Sequence, residues 1–119
     1  MIMPTGITLE GEADLPPLAR RVRALVRSIP AGKVLTYGDI AELLEQGGPR
    51  QIGAAMSAHG DGVPWWRVVN ASGLLPPRLR GEAARQYAEE GTAYDVTLER
   101  VKLRVARWDG REDGRGAVG

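Results

Sequence analysis

Glycine and proline punctuate this chain so densely that only short elements can be drawn through it. Pro30, Gly32, Gly47, Gly48, Pro49, Gly60, Gly62, Gly73, Pro76, Pro77 and Gly91 each fall at the end of a run. Proline lacks a backbone N–H and fixes φ, and glycine opens the left-handed region, so an element forced through these positions loses hydrogen bonds or entropy. The 119 residues therefore make short helices and turns in one domain rather than two, since domains commonly hold about 100–150 residues. Residues 15–108 are expected to form that domain, with 1–14 a loose arm and the Gly-rich, charged 109–119 a disordered tail.

Within the domain, Leu15, Leu18, Val22, Leu25, Val26 and Ile29 recur at spacings of three and four and predict a helix of about 14 residues. Asp14 is placed to cap it, with Pro16 and Pro17 in the first turn. Arg20, Arg21, Arg23 and Arg27 lie on its other faces and are assigned no role. Thr36, with Asp39 three residues on, predicts the start of a second helix over 37–44. Gln46-Gly47-Gly48 breaks it, and Pro49 opens a third over 50–58, with His59 read as its C-terminal residue. Two short helices joined by a Gly-bearing turn suggest helix-turn-helix. Residues 63–69 are rich in strand formers and Asn70-Ala71-Ser72-Gly73 turns them back into Leu74-Leu75, which reads as a small β wing. A polar helix over 81–90 ends at Gly91, and 96–108, alternating at Val101, Leu103 and Val105, is a strand or a packed irregular arm. The expected fold is mainly α with a small β wing, a winged helix-turn-helix.

Composition removes whole classes of chemistry. There is no Cys, which excludes disulfides, thiolate metal sites and cysteine nucleophiles, and one His is too few for a zinc cluster. No metal and no cofactor is expected. Phe is absent, so the core falls to Leu, Val, Ile, Ala and Met, and each of the three Trp needs a reason. No apolar run reaches a membrane-spanning length and no signal-peptide pattern opens the chain, which predicts a cytoplasmic protein without a membrane partner. The net charge of +1 hides a gradient: residues 15–80 hold nine Lys and Arg against four Asp and Glu. That surplus fits a polyanion partner, and is also found on ordinary solvated surfaces.

Three motifs occur in order: Ile29-Pro30-x-Gly32-x-x-x-Thr36-Tyr37-Gly38-Asp39-Ile40-Ala41, then Arg50-x-Ile52-Gly53-x-Ala55-Met56, then Pro64-Trp65-Trp66-Arg67-Val68-Val69-Asn70-x-x-Gly73. Together they resemble the DNA-binding domain of O6-alkylguanine-DNA alkyltransferases, over about residues 15–91. The alkyltransferases carry Pro-Cys-His-Arg-Val where this chain has Pro64-Trp65-Trp66-Arg67-Val68. Trp in place of that cysteine is the hallmark of the alkyltransferase-like proteins. Moving an alkyl group from guanine O6 onto protein needs a thiolate and a neighbouring base. Trp65 supplies no such nucleophile and Trp66 no such base, so no catalytic residue is expected and the chain reads as a binder.

The resemblance implies roles for individual residues. Arg50 aligns with the arginine that fills the gap left by a flipped nucleotide, and Tyr37 with the tyrosine that crowds the adjacent phosphate. Tyr37, Trp65, Val68 and Arg78 are expected to form the lesion pocket. Arg78 sits in Gly73-Leu74-Leu75-Pro76-Pro77-Arg78, similar to the Gly-x-Ile-Ser-x-Arg segment of the alkyltransferase-like proteins, with Leu and Pro replacing some neighbours. Thr36, Tyr37, Arg50, Gln51, Gly53, Ala54 and Ser57 are expected to contact DNA, the small residues allowing close approach to a minor groove. The resemblance further implies double-stranded DNA carrying O6-alkylguanine as ligand, nucleotide excision repair proteins as partners, and a monomer, nucleoid-associated if bacterial. Gly60-Asp61-Gly62 stands where the alkyltransferases place an Asn, which has no counterpart here.

Plainer readings stand beside these. Tyr37 also reads as an aromatic packing on Leu25, Trp65 as a strand core residue and Arg50 as a solvated surface arginine. Adjacent on a strand, Trp65 and Trp66 should face opposite ways, one to the pocket and one to core or solvent. Arg67 reads equally as an ion-pair partner or a DNA contact. A winged helix-turn-helix transcription regulator is the alternative function, but its recognition helix should be lined with base-reading side chains. This one offers Arg50 and Gln51 before Gly53-Ala54-Ala55. An enzyme with another nucleophile is disfavoured by the lack of Cys and by the single, poorly placed His59.

Overall fold

The computed structural model describes residues 14–111. The arm over 1–13 and the tail over 112–119 lie outside the described residues. Helix α1, Pro17–Ser28, buries Ala19, Val22 and Val26 on one face. Asp14 does not cap it: the helix begins after Pro16, with no side-chain cap bond, because the prolines at its start need no donor satisfied. It stops at Ile29, held extended ahead of Pro30.

Strand β1, Leu35–Thr36, runs directly into helix α2, Tyr37–Leu44. Thr36 Oγ1 accepts from Asp39 N–H while Asp39 Oδ2 accepts from Thr36 N–H, both at 3.0 Å. This reciprocal cap fixes Tyr37 as the first residue of α2. Helix α3, Pro49–His59, follows the turn at Gly47 and buries Ile52. Arg23 reaches from α1 to the end of α3, donating to His59 O at 2.8 Å, and Arg21 donates to Leu44 O at 3.0 Å. Two of the arginines assigned no role thus staple α1 to its neighbours.

The β wing is replaced by a different arrangement. Trp65–Arg67 is a single 3-10 turn and only Val68–Val69 is strand, β2. Pro64 brings no N–H to a ladder, and its carbonyl takes Arg67 N–H at 3.0 Å to close the turn instead. Strand β2 pairs in parallel with β1, Leu35 opposite Val68 and Thr36 opposite Val69, and not with Leu74-Leu75. The latter stay irregular because Asn70 Oδ1 accepts from Ser72 N–H and Leu74 N–H, a side-chain turn that competes with a ladder.

A second 3-10 turn, Pro77–Leu79, leads into α4, Arg80–Glu90, which ends at Gly91 with φ of 72°. Beyond it, β3, Tyr94–Asp95, pairs antiparallel with β4, Arg100–Val101, and α5, Leu103–Ala106, follows. The expected alternation over 96–108 gives way to hairpin plus helix: Val101 is buried but Val105 is exposed. The segment closes on β1, with Val34 N–H donating to Ala106 O at 3.0 Å and Trp108 N–H to Val34 O at 2.8 Å.

The small parallel sheet divides two cores. Leu35 and Val68 join Val22, Val26, Ile29, Ile40 and Ile52 on one side, while Val34 and Val69 join Leu75, Ala83, Tyr87, Val101 and Ala106 on the other. Successive strand residues point to opposite faces, so two adjacent pairs suffice to serve both. The result is a mainly helical domain with two two-stranded sheets. Among the described residues no helix is long and apolar enough to cross a membrane.

Gly73 joins the two halves. It adopts φ of +82°, and a Cβ there would stand 2.4 Å from Val101 O, a backbone atom that cannot turn aside. Gly73→Ala is expected to lower stability by about 3 kcal/mol, from left-handed strain and the clash together. Thermal unfolding of the variant, with Gly81→Ala as an exposed helical control, measures this.

Candidate functional site

A cavity of about 140 Å3 opens between α3, the start of α2 and the segment over 75–79. A space near 150 Å3 accepts a benzene-sized ring, so an aromatic base edge or an alkyl group fits the scale. Its lining includes Tyr37, Trp65, Val68 and Arg78, so all four residues expected to form a pocket come together. They are brought there by different devices. Tyr37 is set by the α2 cap, and its ring lies against α3 at Gly53, 3.9 Å from where a Cβ there would stand. Burial raises the Tyr37 pKa, which keeps its hydroxyl protonated as a donor at neutral pH. Val68 forms a buried base through its place in β2, and Arg78 is exposed in the 3-10 turn at the rim.

The 3-10 turn also separates the two indoles, which meet edge to face at 5.5 Å and 85°. Trp65 lines the cavity, whereas Trp66 Nε1–H donates to Glu90 Oε2 at 3.0 Å. The expected division of the pair is therefore present, but by a helical turn rather than strand alternation. Arg67 is an ion-pair partner: its Nε–H and Nη2–H donate to Glu90, its Nη1–H to Ile29 O at 2.8 Å. The guanidinium also lies 5.7 Å from the Trp66 ring centre. Burial pushes the Glu90 pKa up, but the hydrogen bonds from Arg67, Trp66 and Gly32 and the charge of Arg67 outweigh it and hold the carboxyl below its ordinary range.

Helix α3 presents Arg50, Gln51, Ala54 and Ser57 to the outside, with Gly53 half-buried behind Tyr37. The Gln51 side chain accepts from Gly48 N–H at 2.9 Å, so its amide serves the start of α3. The expected contact at Thr36 is corrected: the residue is 5% exposed and its hydroxyl is engaged by Asp39, so it positions Tyr37 rather than offering a surface. Gly53 and Ser57, expected as DNA contacts, also line the cavity, and Met56, Leu75, Pro76 and Leu79 complete it beyond what the motifs indicate. Met56 carried a signal, standing three residues after Gly53 on one helix face. The Arg67–Glu90 link carried none, because its partners are 23 residues apart. Among the described residues no cluster of His, Cys, Asp or Glu could hold a metal ion.

Comparison with known proteins agrees with this mainly helical fold. The family described as 6-O-methylguanine DNA methyltransferase, DNA binding domain, matches residues 17–90. The DNA base-flipping protein of Escherichia coli K12 is 38% identical over 115 residues, covering 90% of this chain and 84% of its own. Alkyltransferase-like protein 1 of Schizosaccharomyces pombe is 38% identical over 98 residues, covering 74% and 89% respectively. The crystal structure of S. pombe Atl1 in complex with damaged DNA containing O6-carboxymethylguanine superposes with a TM-score of 0.67 at 31% identity, over 80% of this chain and 97% of that one. With its three motifs, its mainly helical fold and its cysteine-free sequence, the chain belongs to the family of the 6-O-methylguanine DNA methyltransferase DNA-binding domain, among the alkyltransferase-like proteins.

Proposed function

We infer that this protein is a non-enzymatic sensor of DNA damage that binds duplex DNA, flips O6-alkylguanine into the Tyr37–Trp65–Val68–Arg78 cavity and leaves the alkyl group in place. The observation that carries this reading is the position of Trp65: an indole walls the cavity in a chain without any cysteine. Indole offers a flat apolar face to a base or alkyl group, and no thiolate to be consumed. Relatives named for base flipping and a relative bound to damaged DNA support the same ligand.

The exposed face of α3 suits the minor groove, where Ala54 and Ser57 allow close approach, with Tyr37 lying behind Gly53. In this reading α2 and α3 act as the helix-turn-helix, Arg50 fills the space of the flipped nucleotide, and Tyr37 turns the neighbouring phosphate. Gln51 contributes through its backbone-capping role at the start of α3. Arg78 closes over the base, its donors facing an O6 that is now an ether acceptor. Holding the base outside the stack costs a few kcal/mol, which cavity contacts must offset. The protein acts as a monomer, and the marked lesion passes to nucleotide excision repair. A transcription regulator is disfavoured by the same helix, because the Gln51 amide is engaged by Gly48 and small residues follow.

Binding to two duplexes identical except for one O6-methylguanine, at fixed salt, tests the reading. A preference of at least about tenfold, 1.4 kcal/mol, is expected, with the methyl group recovered intact on the DNA after prolonged incubation. Equal binding to both duplexes discards lesion recognition, and methyl loss discards the non-enzymatic reading.

A further inference from the structure

The cavity wall carrying Leu75, Pro76, Arg78 and Leu79 has little internal support. Pro76 and Pro77 supply no N–H, and the wall's own backbone bonds are Leu79 N–H to Pro76 O at 2.9 Å and Arg80 N–H to Pro77 O. Leu75 is anchored in the core beside Val69, Ala83 and Tyr87, and the wall's remaining polar hold comes from chain beyond residue 90 and from one arginine. At the near end, Val101 N–H donates to Gly73 O at 2.9 Å. Two residues on, the buried Leu75 presents its carbonyl to Arg80, whose Nε–H donates at 2.7 Å. The same guanidinium stands 3.6 Å through Nη1 from Glu99 Oε1 in the β3–β4 turn. Glu99 sits there at φ of 54°, a conformation few non-glycine residues adopt, in a turn that Asp95 braces by accepting from Leu98 N–H at 2.9 Å. Neither Arg80 nor Glu99 lines the cavity.

The geometry points to Arg80 as a positioning residue for lesion recognition. By bonding the Leu75 carbonyl and anchoring on the hairpin turn, it fixes the wall from which Leu75 and Arg78 meet a flipped base. Binding sites lose selectivity when such support is loosened by a fraction of an ångström. This rests on the cavity being the lesion pocket.

Arg80→Met and Arg80→Gln remove the same charge, but only glutamine keeps an N–H for the Leu75 carbonyl. Each full-length variant is assayed on the paired duplexes, with and without O6-methylguanine, alongside its thermal unfolding. Arg80→Met is expected to cut the modified-to-unmodified affinity ratio by about fivefold or more, while Arg80→Gln, which loses only the Glu99 anchor, lowers it by about twofold. Both should bind the unmodified duplex equally. A ratio unchanged in both variants, or an equal fall in both, overturns the role. If Arg80→Met is unfolded at the assay temperature, Glu99→Gln decides: a fall of about twofold or more supports the brace, and an unchanged ratio overturns it. A parent protein without preference overturns the lesion reading itself, whereas preference retained in Arg80→Met overturns only the brace.

Discussion

Glu90→Ala is expected to lower folding stability by about 3 kcal/mol, a large share of the 5–15 kcal/mol typical of a domain. The Glu90 and Arg67 side chains are 11% and 16% exposed, so removing the carboxylate leaves a mostly buried guanidinium uncompensated. Trp66 Nε1–H and Gly32 N–H lose their acceptor as well. Thermal unfolding should show a fall in Tm of more than about 10 °C. A shift of only a degree or two would mean that water replaces the carboxylate without cost. Acid should reproduce part of the effect in the parent protein. The carboxyl is held below its ordinary value of 4.5, so the unfolded chain takes up the proton first as pH falls. The associated stability is complete above that value and is lost as pH drops through it. Asp39 acts with the same sign: burial pushes its pKa up, but bonds from Arg107 and Thr36 hold it below its ordinary 3.8. Urea midpoints should therefore decline as pH falls from about 5 to about 3 in the parent and decline less in Glu90→Gln.

Trp65→Ala is expected to remove most of the preference for O6-alkylguanine. Stacking of a base on an aromatic side chain contributes about 1–3 kcal/mol by alanine substitution, roughly 5- to 150-fold in affinity. Affinity for the unmodified duplex should stay within about twofold, because sequence-independent affinity rests mainly on cationic phosphate contacts and the Trp65 indole is uncharged and lines the cavity. Trp65→Phe keeps an apolar ring and should retain part of the preference. Competition binding on the paired duplexes separates these outcomes. Loss of affinity for both duplexes alike would place Trp65 in general DNA binding, or in the core beside Leu75, and not in reading the lesion.

What could be read ahead of the structure followed the range of the interactions involved. The Thr36 cap, the bounds of α2, the glycine stop at Gly91 and the amphipathic face of α1 depend on neighbours within a turn, and their residues announce them. Tyr37, Trp65, Val68 and Arg78 were gathered through motif resemblance, and the fold brings them to one cavity. The turn at Trp65–Arg67 was misread as strand because β-forming side chains outweighed Pro64 in the pattern. Thr36 was read as a surface residue because its cap and its burial are separate matters: local spacing reveals the first and only packing the second. The parallel pairing of β1 with β2, the Arg67–Glu90–Trp66 cluster and the hold of Val101 on Gly73 join distant residues, and no local pattern encodes them.

The bridge from Val34 to Ala106 and Trp108 bears on how the chain comes to be folded. Its partners lie more than 70 residues apart in sequence, so a long loop must close before the contact forms, and closures of such separation slow folding. On a ribosome, β1 and the first core would emerge long before the strip that covers the flank of Val34. Until then an unsatisfied strand edge lies open to pairing with another chain, the usual route to aggregation of incomplete β structure. Residues 106–108 therefore act as a seal beside β1, and the Val34 amide, slow to exchange with solvent only when that seal is in place, reports completion of the domain.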